Sequence, residues 1–86
     1  MKFKLPKPDE PGFLRRKKEC AAKFVASQMS DEGFDKYVEY LAQYIEADDP
    51  VEAALDLTSE QVKLMHAAIM SGTEVDPEQS GNSAGG

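Results

Sequence analysis

Apolar residues along this chain fall into helical stripes separated by short polar corners. The clearest stripe is Phe34, Val38, Leu41, Ala42 and Ile45. Its i, i+4, i+7, i+8, i+11 spacing predicts an amphipathic helix over about 31–46. Tyr37, Tyr40 and Tyr44 run beside that stripe. Upstream, Leu14, Cys20, Ala21, Phe24, Val25 and Met29 predict a helix from Gly12 or Phe13 to Met29. Downstream, Val62, Met65, Ala68 and Ile69, flanked by Leu64 and Ala67, predict a helix from Ser59 to Met70.

The corners carry matching start and stop signals. Ser30 or Asp31 suits an N-cap, and Glu32 and Asp35 suit the positive first turn of the next helix. Asp49 followed by Pro50 is a cap followed by a first-turn proline. It predicts a short helix from Val51 to Leu55 with both of those residues inward. Thr58 and Gln61 fit a capping box, with Leu57 and Val62 as its hydrophobic staple. Ser71-Gly72 stops the last helix.

The two ends read differently. Residues 1–12 hold Pro6, Pro8 and Pro11, which remove backbone donors and bias their neighbours to extended geometry. An extended, flexible basic arm is expected there, either loose or ordered as a strand on a partner. Residues 73–86 are almost wholly Gly, Ser, Asn, Pro and acids, and predict a disordered tail. The expected whole is an all-α bundle of three main helices plus one short helix, spanning residues 13–72.

Charge changes this picture. The 86 residues carry a net charge of −6, but unevenly. Residues 1–23 hold eight bases and three acids, a net +5; residues 24–86 hold two bases and thirteen acids, a net −11. Arg15, Arg16, Lys17 and Lys18 form a basic collar on the first helical turn, where the helix dipole disfavours positive charge. An acidic body of this size repels phosphate, so nucleic acid is a disfavoured partner. The chain has no apolar run of membrane-spanning length and no signal peptide. A single cysteine excludes an internal disulfide and suits a reducing cytoplasm.

Candidate chemistry is thin. Cys20 and His66 are the only residues of their kinds, and the default for each is a small buried thiol and an edge histidine. An enzyme would need the two within hydrogen-bond reach; no enzyme activity is expected. No metal ligand set and no cofactor are implied: the acids at 46, 48, 49 and 52 lack the spacing of a calcium loop. Protein binding is the function left. Tyr37, Tyr40 and Tyr44, with Arg15, Arg16, Lys17 and Lys18, are the candidate protein-binding residues, because tyrosine and arginine are enriched at interface hot spots. The other reading of the tyrosines is a row of half-buried rings at the core edge.

The stretch Phe34 to Gly72, a helix, then "DPVEAALDL", then "TSEQVKLMHAAI", resembles small proteins from the tail-gene region of bacteriophages and prophages, the tail assembly chaperones. The resemblance implies a helical cytoplasmic protein of the bacterial host that binds a tape-measure or other phage tail protein during assembly. It transfers no site residue. Two other classes stay open. One is an acidic inhibitor that imitates nucleic-acid phosphates, which requires the acids at 46, 48, 49, 52 and 56 to form one exposed array. The other is a structural or connector piece of a virion, for which a homo-oligomer is expected.

Overall fold

The computed structural model describes residues 2–74. Its elements are β1 (Lys2–Phe3), α1 (Phe13–Ser27), α2 (Asp31–Ala42), β2 (Ile45–Glu46), α3 (Pro50–Leu55) and α4 (Ser59–Ser71). The fold is all-α: three main helices and a short one, with one two-residue strand pair. Among the described residues no helix is long and apolar enough to cross a membrane.

Each corner obeys its sequence signal. The Ser30 side chain accepts the Gly33 N–H at 3.0 Å and opens α2. Asp49 accepts the Glu52 N–H at 3.2 Å and opens α3. At α4 the capping box is complete: Gln61 N–H donates to the Thr58 hydroxyl, and Thr58 N–H donates to the Gln61 side chain. Gly72, with φ +66°, takes the left-handed conformation that closes α4.

Helix α2 ends earlier than its pattern predicts. The chain turns after Ala42, and Ile45 and Glu46 are extended. The extended segment pairs with the N-terminal arm. Phe3 pairs with Ile45 and Lys2 with Glu46 in an antiparallel ladder, and Lys4 N–H donates to the Tyr44 carbonyl at 2.9 Å. Alternation does the rest: Phe3 and Leu5 pack against the core while Lys2 and Lys4 face water. The arm expected to be flexible is therefore a strap on the body. Thr73 and Glu74 carry no regular structure, and the remainder of the expected tail lies outside the described residues.

Cys20, Tyr37, Val38, Tyr40, Leu41, Ile45, Met65 and Ile69 make the centre of the core. Two inward assignments are corrected. Phe34 is exposed, because the α1–α2 contact runs through Gly33 and rotates the buried face toward Tyr37 and Tyr40. Val51 and Leu55 are also exposed; α3 turns the smaller Ala53 and Ala54 inward.

Candidate binding groove and the cluster beneath it

The tyrosines do not form an outer flank. Tyr37 and Tyr40 are buried and Tyr44 is half-buried. The Tyr40 hydroxyl donates to the Arg16 carbonyl at 3.2 Å and lies 3.3 Å from the Tyr44 hydroxyl. The rings of Tyr40 and Tyr44 meet edge to face at 5.6 Å. Burial, then the bond to Tyr44, pushes the Tyr40 phenol upward. The outward tyrosine flank is thus corrected: period-3.6 spacing put Tyr37 and Tyr40 beside the stripe, the rotation of α2 made them part of it, and of the two only Tyr37 reaches the groove described below.

The basic collar divides. Arg15, Lys17 and Lys18 are exposed. Lys17 Nζ sits 6.0 Å from the Phe13 ring centroid. Arg16 is half-buried and bends back along the arm, donating to the Pro11 carbonyl at 2.7 Å and the Glu10 carbonyl at 3.2 Å. Gly12 opens α1 in a left-handed conformation (φ +90°) and supplies no side-chain cap. Arg16 therefore ties the arm to the helix.

The contact that an enzyme would require, Cys20 within hydrogen-bond reach of His66, is present in the fold. Cys20 Sγ lies 3.7 Å from His66 Nδ1, and the Tyr37 hydroxyl lies 3.4 Å from the same nitrogen. Phe24 covers the cluster, 5.1 Å from the His66 ring and 5.6 Å from the Tyr37 ring. The thiol and the hydroxyl thus share one His66 ring nitrogen, and the tautomer sets which group donates. Burial pushes the Cys20 thiol up to about 11 and Tyr37 up to about 12. A neutral, fully buried thiol is neither nucleophile nor ready metal ligand. Among the described residues no group of three or more His, Cys, Asp or Glu is placed to hold a metal ion.

The raised values make a stability prediction. Folding raises the Cys20 pKa from 9.0 to about 11, so the unfolded chain loses this proton first as pH rises. The stabilisation is complete below pH 9 and falls away as pH climbs to about 11, with Tyr37 adding to the fall above pH 10. Thermal melts across this range should show Tm declining from about pH 9 upward. A Cys20→Ala variant should start from a lower Tm and show a shallower decline.

Above the cluster a surface groove of about 380 Å³ opens between α1, α2 and α4. Tyr37, Val62, His66, Ala67 and Met70 line it, with exposed Phe24, Lys63 and Ser71. Its lining is chiefly apolar, and Lys63 gives it a positive edge. No spacing rule announced it, because its parts come from three helices. The one signal was that Val62, His66 and Met70 repeat every fourth residue on α4.

The acids at 46, 48, 49, 52 and 56 are all exposed and lie on one continuous segment from β2 through α3. Glu52 and Asp56 stand one turn apart on α3, with Val51 and Leu55 on adjoining outward positions.

The groove and its cluster belong to a small all-α fold. In comparisons with known proteins, no family model, curated protein or solved structure matches the chain.

Proposed function

We propose that this chain is a non-enzymatic protein-binding module that seats an apolar side chain or helix face of a partner in the α1–α2–α4 groove. The observation that carries this reading is the groove itself: an apolar concavity of about 380 Å³, open at the surface and edged by Lys63. Its volume suits one or two large side chains, and concave apolar sites with few polar groups are where ligands and anchors bind. The protonated thiol beneath it supports binding over catalysis.

The resemblance of Phe34–Gly72 to tail assembly chaperones gives the finer proposal. The partner is then a long helical phage tail protein such as a tape-measure protein, held in the cytoplasm of a bacterial host. The test is a pull-down of the tagged full-length chain from cells expressing its neighbouring genes, read by mass spectrometry. Recovery of a helix-rich tail protein supports the chaperone reading. Ala67→Trp, which fills the groove, should weaken that capture roughly tenfold or more while leaving the circular dichroism spectrum unchanged. Undiminished capture by this variant would move the binding site elsewhere.

A second reading has its own support. The acids at 46, 48, 49, 52 and 56 are all exposed along one segment, which supports a phosphate-mimicking inhibitor. Recovery of a host polymerase, nuclease or restriction enzyme would favour it over the chaperone.

A further inference from the structure

We infer that α1 carries a second, separate interface, through which two copies of this chain pair about a two-fold axis with their α1 helices antiparallel. The groove uses only Phe24 from α1. The outer face of the same helix carries Leu14, Lys18, Ala22 and Val25 at spacings of four, four and three, and Met29 continues the line. Leu14 is 74% exposed, Val25 57% and Met29 79%. Met29 lies two residues past the end of α1, in a turn whose Met29 N–H donates to the Ala26 carbonyl at 3.0 Å and holds it beside the helix end. Among the described residues, nothing covers the large apolar side chains of this stripe.

The stripe is a near-palindrome. About a point between Ala21 and Ala22, Leu14 matches Met29, Lys18 matches Val25, and Ala21 matches Ala22. A two-fold axis through that point sets each apolar residue of one copy opposite an apolar residue or a lysine stem of the other. The two alanines at the crossing let the backbones approach, while the large residues fill the ends. An isologous contact of this kind is the commonest route to a dimer.

Charge selects the orientation and the occupant. Arg15, Lys17 and Lys18 are exposed at one end of the stripe. The chain leaves the other end through exposed Asp31 and Glu32, the acidic first turn of α2. Antiparallel pairing brings the collar of each copy toward the acids of the other, twice. Parallel pairing would stack collar on collar. Among the described helices, no other one offers an outward apolar stripe of matching length: α3 has only six residues, and α2 exposes Phe34 alone among its large apolar residues. A four-turn contact is smaller than a standard interface of about 1,600 Å². The dimer should therefore dissociate on dilution, and salt should weaken it through the exposed charges.

Sedimentation of the full chain from micromolar to millimolar concentration, at low and high salt, tests the pairing. The expected result is a reversible dimer favoured by concentration and by low salt. Val25→Lys, which would face Lys18 of the other copy, should remain monomeric throughout with an unchanged melting curve, since Val25 is exposed in the monomer. Under mild oxidation Ala22→Cys should cross-link to itself. Leu14→Cys and Met29→Cys should cross-link only when the two variants are mixed. Buried Cys20 does not compete. A monomer at every concentration, a dimer that survives Val25→Lys, or self-linking of Leu14→Cys would each overturn the inference.

Discussion

Leu41→Asp should abolish the helical far-UV signal at room temperature. Leu41 is 3% exposed and sits among Cys20, Ile45, Met65 and Ile69, at the point where α2 meets the other helices. The aspartate would remove a packed side chain and bring in a charge. Among the described residues no Lys, Arg or His is buried, so the core holds no cation to pair with that charge. Losing the apolar burial costs about 2–5 kcal/mol, before the buried carboxylate is counted. Small domains fold with margins near the low end of about 5–15 kcal/mol. The sum consumes the margin. Retention of the wild-type melting curve would show that this face of α2 is not the core.

Gly33→Ala should be the second most damaging single change, against the trend for helices. Alanine is ordinarily the better helix former by about 1 kcal/mol. Here a Cβ at position 33 would lie 2.1 Å from the Ala26 carbonyl oxygen and 2.5 Å from its carbon. Those are backbone atoms of α1, so no rotamer change relieves the clash, and the two helices must move apart. Overpacking of this kind costs about 1–3 kcal/mol or more. At the upper end, Tm should fall by roughly 10–20 °C for a domain of this size. A Tm at or above wild type would show that α1 and α2 do not pack through this glycine.

That glycine also explains where the sequence reading stopped short. Caps were legible because each is a local rule: Ser30, Asp49, Thr58 and Gly72 act on backbone within four residues of themselves. The buried side of α2 was legible to within one position. Spacing alone cannot distinguish Phe34–Val38–Leu41 from Gly33–Tyr37–Tyr40–Leu41 as the inward line, since both recur at the helical period. The choice was made by close approach of backbone to backbone at Gly33 and Ala26, a tertiary event. Glycine inside the first turn of an amphipathic helix was the available clue. The same reason hid the groove and the Cys20–Tyr37–His66 contact, whose members lie 17 to 46 positions apart and meet only when α1, α2 and α4 are assembled.

The arm was misjudged for a different reason. Prolines at 6, 8 and 11 forbid helix there, but they do not forbid docking. Phe3 and Leu5 lie ahead of the prolines, and Ile45 supplied a free strand edge once α2 ended at Ala42.

Cys20 gives this fold a built-in clock. The chain has one thiol, and it is sealed at the centre of the core and held in its unreactive protonated form. A small thiol reagent added to the native protein can be consumed only through openings that bring the core to water. When reclosing outpaces labelling, the rate reads the population of open molecules, and when labelling outpaces reclosing it reads the opening rate itself. The thermodynamics and kinetics of core opening are thus accessible from one reaction, without an introduced label.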